Sequence, residues 1–286
     1  MKKILLLLDA EHFIAEILDF AAAIVKSDNS TLIGVFCEHP HLEAAPSVKA
    51  LGGQIFIEEI VEAPAEQMKK NALVQKNIEL FKNGCIQREL KALVHHDKGI
   101  ALENMIGESR YADLLIVDPA TTFNGDRKVP SKFVMELLAA AECPVLIAPE
   151  YFEEVNEVVF AYDGSKSSAY AIKQFQYQLP HLAHRKITVL HVSEHGHTSK
   201  SYKKEQGLFK EWLQFNFSNI SFLELEGEPR DILFEYFMEQ EQRYNKMLVT
   251  GAFGRNLLSS FFKPSTADLV LKAIDIPIFV SHVSRS

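Results

Sequence analysis

Short apolar runs alternate with amphipathic stretches of helical period along this chain, and the whole order occurs twice. Ile4-Leu5-Leu6-Leu7-Leu8 closes on Asp9, and Val158-Val159-Phe160-Ala161-Tyr162 closes on Asp163. After each aspartate the apolar positions fall at i, i+3, i+4 spacing, Phe13, Ile14, Ile17, Leu18 and Ala21 in one copy and Ala169, Ile172 and Phe175 in the other, which predicts a helix in both. A second apolar run follows, with Thr31-Leu32-Ile33-Gly34-Val35 matched to Thr188-Val189-Leu190-His191-Val192, so that Val35 takes the place of Val192. Later come Ala112 to Val117 and Asn245 to Thr250, then a last helix and a strand opened by Cys143-Pro144 or Ile276-Pro277.

Apolar runs separated by helices of ten or more residues predict βαβ units around a parallel sheet. The expected fold class is therefore α/β, with two repeated domains, 1–150 and 151–286, each a five-stranded, mainly parallel sheet flanked by helices. Pro149 ends the first repeat, and Glu153-Glu154 mark a solvated link between Glu150 and Asn156. Residues 38–90 are expected to be helix-rich, with Ala65 to Leu90 nearly free of breakers; the second repeat is shorter here, with a loop tip at His195 to Lys200 and a helix at Leu208 to Phe217. Each last strand, Val145 to Ala148 and Ile278 to Val280, is apolar throughout and closes its repeat. An apolar sheet edge invites another strand, so the two are expected to carry the contact between the halves as an internal pseudo-dimer, with a further homodimer left open.

The 286 residues are 47% hydrophobic and 24% charged, enough for two packed cores and unlike a disordered chain. The net charge of -8 is unequally shared: residues 1–150 carry 15 Lys/Arg against 22 Asp/Glu, and residues 151–286 carry 15 against 16. An acidic chain without a basic block lacks the footprint that supplies most nucleic-acid affinity, and an anionic small ligand suits the second half better. Three widely spaced cysteines, Cys37, Cys85 and Cys143, form neither a disulfide framework nor a CxxC motif and fit a reducing cytosol. The opening apolar run stops at Asp9 after five residues, too few for a secretory h-region, and no stretch reaches the roughly 18–20 apolar residues of a spanning helix. A soluble, cytoplasmic protein is expected, with no membrane partner.

The most specific chemical feature is Gly251-Ala252-Phe253-Gly254, nine residues, then Pro264-Ser265, directly after the strand Met247 to Thr250. Glycines at the carboxyl end of a parallel strand let backbone N–H groups approach an anion, and a following helix N-terminus adds its dipole. Ser265 and Asp268 have capping-box spacing, which starts a helix at Ser265 and turns its hydroxyl and the N–H groups of Ser265 and Thr266 toward a phosphate.

On these residues, together with the two Asp-ending first strands and the turn Asp163-Gly164-Ser165 with Ser168 and Ala169, the chain resembles a tandem universal stress protein over nearly its whole length. The resemblance implies an adenine-nucleotide alpha-hydrolase-like, Rossmann-like fold and a stress-response or regulatory role. It also implies a site for ATP, with Mg2+, or another adenine nucleotide. By position it assigns Asp163 and Val192 to the nucleoside side and Gly251, Gly254 and Ser265 to ribose and phosphates. Arg255 and Lys263 flank the loop, and Pro264 stands where the family has a third glycine, removing one N–H donor.

In the first half Asp9 and Val35 are present, but the loop reads Asp118-Pro119-Ala120-Thr121-Thr122-Phe123-Asn124-Gly125, and Pro130-Ser131 repeats Pro264-Ser265. Acidic Asp118 and Asp126 repel phosphate, so this half is expected to be a degenerate site with a structural or partner-binding role, the protein partner being unspecified. Two alternatives stay open: a nucleotide-free scaffold with both sites degenerate, and a nucleotide hydrolase of the wider fold group, although no general base stands beside the loop. His191, His195 and His197 with Glu194 lack a closed four-ligand metal spacing, His95-His96-Asp97 reads as a strand end without nucleophile context, and Cys143 reads as a buried residue at the start of a strand. Phe215, Phe217 and Phe222 are expected in the core.

Overall fold

A computed structural model describes residues 2–25, 30–38, 47–51, 54–58, 64–97, 99–123, 129–193, 200–238, 245–251 and 275–282. The first half contributes β1 (Lys3–Asp9), α1 (Ile17–Val25), β2 (Thr31–Cys37), β3 (Ser47–Leu51), β4 (Gln54–Glu58), α2 (Pro64–Gln87), β5 (Ala92–Asp97), α3 (Ala101–Ser109), β6 (Leu114–Val117), α4 (Lys132–Ala140) and β7 (Val145–Ile147). The second contributes β8 (Glu157–Ala161), α5 (Lys166–Gln178), β9 (Lys186–Ser193), α6 (Lys200–Asn216), β10 (Ile220–Glu226), α7 (Pro229–Met238), β11 (Lys246–Gly251) and β12 (Ile278–Ser281).

One ten-stranded sheet runs through both halves in the order β10-β9-β8-β11-β12-β7-β6-β1-β2-β5. Each half supplies five strands in one order, third-second-first-fourth-fifth, and within a half every pairing in this sheet is parallel. The halves meet where β12 pairs antiparallel with β7, Ile278 opposite Ile147, Phe279 opposite Leu146 and Val280 opposite Val145. Strands such as Leu5, Leu6 and Leu7 are buried on both faces, which is why they read as unbroken apolar runs. One face is covered by α1, α2, α5 and α6, through Leu18, Phe81, Phe175 and Leu213. The other is covered by α3, α4 and α7, through Met105, Leu137 and Phe237.

Three expectations from the sequence need correction. Residues 38–90 hold a hairpin besides the long helix: β3 and β4 pair antiparallel, with Val48 opposite Ile57 and Ala50 opposite Ile55, and the run Ile55-Phe56-Ile57 of β-branched and aromatic residues in β4 favours a strand over a helix. Helix α1 begins only at Ile17, leaving Phe13 to wedge against Phe36 and Phe81 while Ile14 stays exposed. The second half places the capping Ser165 two residues after Asp163, where the first half has Glu11, so its helix starts at Lys166. Phe217 is buried as expected, but Phe215 and Phe222 are exposed. Among the described residues no helix is long and apolar enough to cross a membrane.

At the amino ends of the second-half strands, buried Lys246 meets Glu157 at 2.6 Å, and Thr188 donates to the same carboxylate at 2.5 Å. Tyr236 and Lys186 approach it at 3.3 and 3.2 Å. Burial opposes ionisation of Glu157, but the bonds from Lys246 and Thr188 outweigh it and hold the carboxyl below its ordinary range.

Candidate site at the carboxyl edge of the second-half strands

In an open parallel sheet the crevice for a ligand lies at the carboxyl ends of the strands where the strand order reverses. In the second half that point falls between β8 and β11. Asp163 follows β8, and Gly251 ends β11 beside it. Ala161 lies opposite Leu190 on β9, and the same register carries Asp163 to Val192. The structure thus brings Asp163, Val192 and Gly251 to one edge; Gly254, Arg255, Ser265 and Thr266, with Pro264 and Lys263, lie outside the described residues. So do Glu194, His195 and His197 of the histidine-rich loop, while Lys200 opens α6.

Asp163 is built into the turn it begins. One of its oxygens accepts from the Ser165 N–H at 2.9 Å and from the Ser168 hydroxyl at 2.7 Å, and Gly164 takes φ +79, the left-handed region where glycine costs least. Ser165 caps α5 by accepting from the Ser168 N–H at 3.1 Å. Gly251 has a packing reason of its own, since a Cβ there would come within 2.6 Å of the Ser167 carbonyl carbon and 2.7 Å of the Ser168 nitrogen. Only a glycine lets the first turn of α5 rest on the end of β11. The space a Cβ on Gly251 would take is thus filled by the chain itself.

Sequence reasoning missed Gly227. It follows β10 at φ +147, where an added Cβ would meet Ile232 at 2.8 Å, and its N–H reaches the Ser193 carbonyl at 3.1 Å, tying the ends of β9 and β10 beside Val192. Its counterpart is Gly99, whose added Cβ would meet Asn104 at 2.8 Å. A glycine two residues ahead of a helix, in both repeats, was the available signal.

The first-half edge is arranged differently. Asp9 stands opposite Cys37, whereas Val35 stands opposite Leu7, so the counterpart of Val192 is Cys37 and the match to Val35 was displaced by two residues. Asp118 occupies the place of Gly251. Burial raises its carboxyl pKa; the Ala120 N–H, at 2.6 Å, works against this, and the charge of Glu150 adds to it. Ser131, fully buried, donates its hydroxyl to the Thr121 carbonyl and accepts from the Val134 N–H at 3.1 Å, so the hydroxyl at the Pro-Ser position serves the chain's own loop. Phe123 seals that loop on Phe133, with ring centroids 4.8 Å apart. On the opposite face, buried Glu38 bonds His96 at 2.7 Å and approaches Lys70 at 3.7 Å, and Lys70 also holds Glu11 at 3.1 Å. His95 and His96 belong to β5, and no metal-binding group of three His, Cys, Asp or Glu exists among the described residues. Cys143 is buried, its thiol pushed by burial to about 12.

No family model and no curated protein matches the chain. Among solved structures it is similar to a universal stress protein from Archaeoglobus fulgidus DSM 4304, with TM-score 0.65 and 15% identity over 98% of this chain and 96% of that one. It is also similar to a presumptive universal stress protein from Pseudomonas aeruginosa UCBPP-PA14, with TM-score 0.51 and 16% identity over 99% and 93%. A functionally unknown protein from Pseudomonas aeruginosa PAO1 gives TM-score 0.51 and 16% identity over 99% and 92%. The mostly parallel, helix-flanked sheet of this chain has the fold of the universal stress proteins along nearly its full length.

Proposed function

We propose that the chain is a cytoplasmic stress-response regulator of the universal-stress type, built from domains 1–150 and 151–286, with an adenine nucleotide bound by the second. The observation that carries this reading is the asymmetry of the two strand-order reversals. Asp163 and Val192 share one register beside Gly251, while the matching edge of the first half offers Asp9, Cys37 and buried Asp118. Asp163 and Val192 would hold the nucleoside, and Gly254, Arg255, Ser265 and Thr266 would serve the phosphates, with Mg2+ accompanying ATP. The nucleotide would supply occupancy rather than chemistry, since the sequence sets no general base beside the glycine loop and Asp163 is assigned to the nucleoside.

The scaffold reading draws on Gly251, whose close approach to Ser167 and Ser168 accounts for the glycine without a ligand. Acid release of bound small molecules from purified protein, followed by mass identification, separates the two. An adenine nucleotide in near-stoichiometric amount supports a binding protein. Protein that carries none and takes up none from millimolar MgATP supports the scaffold.

A further inference from the structure

Helix α6 covers β10 with one flank only. On that flank Gln206 donates to Glu224 at 3.4 Å, Lys210 stands 4.9 Å over the Phe222 ring, and Phe209 and Leu213 are buried. On the flank turned away, Lys204, Leu208, Glu211 and Phe215 are exposed, and their spacing of four, three and four residues sets them on one stripe. Such a stripe is the seam by which two helices pack side by side. Leu208 is 72% and Phe215 82% exposed. One exposed apolar side chain is ordinary, whereas two of this size in line with a charge of each sign mark a contact surface.

Gly207 is a second, independent sign. It sits in mid-helix beside the stripe, where an added Cβ meets nothing within 4 Å among the described residues. Gly34, Gly84 and Gly251 are each held small by a side chain or backbone of this chain, and Gly207 is not. Glycine weakens a helix interior, and its bare backbone fits the close approach of a second helix. Past Phe215 the helix ends at a recess of about 380 Å³ shared with Pro180, Ala183, His184 and Ser218. The last turn of a helix leaves carbonyls without helical partners, and its negative pole favours a cation.

The stripe is complementary to its own reverse. With a second copy laid antiparallel, the twofold axis passing between Phe209 and Lys210, Lys204 falls opposite the partner's Phe215 and Leu208 opposite the partner's Glu211. The ammonium of Lys204 then lies over an aromatic ring, within a turn of the partner's Glu211 and at the negative end of that helix, and the relation is made twice. Helix α2 holds the same place in the first half, with buried Phe81 and Cys85 for Phe209 and Leu213, but its stripe reads Lys76, Leu80, Asn83 and Gln87, without the acid or the aromatic. We propose that the outer face of α6 joins two copies of this chain, antiparallel and about a twofold axis. A contact between equivalent surfaces closes at two, and one helix pair buries less than a standard interface, so the dimer is weak and depends on concentration.

Sedimentation of the full chain from about 1 to 500 µM, the range of weak association, tests this. The expected result is a monomer that becomes a dimer, and nothing larger, as concentration rises, less readily in high salt. Lys204→Glu and Glu211→Lys each set like charges against each other and should weaken the dimer about tenfold or more. The double variant, Lys204→Glu with Glu211→Lys, restores opposite signs and should return to within about threefold of the wild-type value. Phe215→Ser and Gly207→Gln should each weaken it about fivefold or more while circular dichroism stays native, since both positions face solvent in one copy. A monomer at every concentration, or growth beyond a dimer, overturns the proposal. So does a dimer that the single charge variants leave unchanged, or a double variant that stays as weak as either single one.

Discussion

Leu146 and Phe279 face each other across the antiparallel β7–β12 pair, and each holds the same place in its own repeat, two residues after the proline that opens its last strand. A pair of equivalent residues opposite each other marks a pseudo-twofold axis, the arrangement a symmetric dimer interface takes. Both are fully buried, and Phe279 meets Phe175 of α5 edge-on at 5.7 Å, so its ring belongs to the second-half core as well as to the junction.

Truncation at this axis should therefore be costly on both sides. Phe279→Ala is expected to lower unfolding free energy by about 3–5 kcal/mol and Leu146→Ala by about 2–5 kcal/mol. The double variant should depart from additivity by about 0.5 kcal/mol or more, since the residues touch. Urea unfolding of the four proteins measures this; strict additivity would deny contact across the axis. Phe279→Lys should unfold the protein rather than expose an edge, because it buries an unpaired ammonium.

Removing one partner of the Glu157–Lys246 pair strands the other charge. Lys246→Met is expected to cost about 3–5 kcal/mol, and adding Glu157→Met should recover most of it. The folded carboxyl titrates below its unfolded value, near 4.3, so its contribution is present above that pH and is lost as pH falls through the lower folded value. Stability measured from pH 7 to pH 3 should fall less steeply in Glu157→Gln than in the wild-type chain. Parallel curves would remove the pair from the acid response.

Gly251→Ala pushes a methyl group into the backbone of α5 and should cost about 1–3 kcal/mol by overpacking. Thermal unfolding of the ligand-free variant reads this directly. An unchanged midpoint would mean that the first turn of α5 does not press on Gly251 as closely as the contact of an added Cβ with Ser167 requires.

All three thiols are buried, with burial pushing Cys37 and Cys143 to about 12 and Cys85 to about 11. A thiolate-specific reagent at pH 8 should leave the native protein unlabelled and label three groups after denaturation. Fast labelling of any one in native protein would contradict its burial.

The inner strands were legible because burial on both faces makes them runs of Leu, Ile, Val and Phe, whereas β5 and β10, at the two edges of the sheet, are only partly buried and carry polar residues. The repeat was legible because the runs recur in one order. Register was not: Val35 and Cys37 point to the same face of β2, so a slip of two residues leaves the apolar pattern intact and only the pairing with Asp9 reveals it. Residues 38–90 hid a hairpin because its alternation spans only five residues a strand beside a helix of 24. The contacts that fill the first-half edge join Glu38 to His96 and Ser131 to Thr121, pairs that only the fold brings together. At the second-half edge Asp163 was legible as the residue ending an apolar run before a Gly-Ser turn. The contact of Gly251 with α5 was not, since nothing in a glycine's sequence neighbourhood tells a ligand's approach from a helix's.

Calorimetric titration of MgATP into the wild-type chain, Asp163→Asn and Asp9→Asn tests the central claim most directly. Asparagine keeps an acceptor oxygen for the Ser165 and Ser168 bonds, so the turn survives while the charge is lost. The expected result is one nucleotide per chain, binding weakened about tenfold or more in Asp163→Asn, as for loss of a hydrogen bond to a charged group, and unchanged in Asp9→Asn. Two equivalent sites, equal weakening by both substitutions, or no binding to the wild-type chain would contradict a single adenine-nucleotide site in the second half.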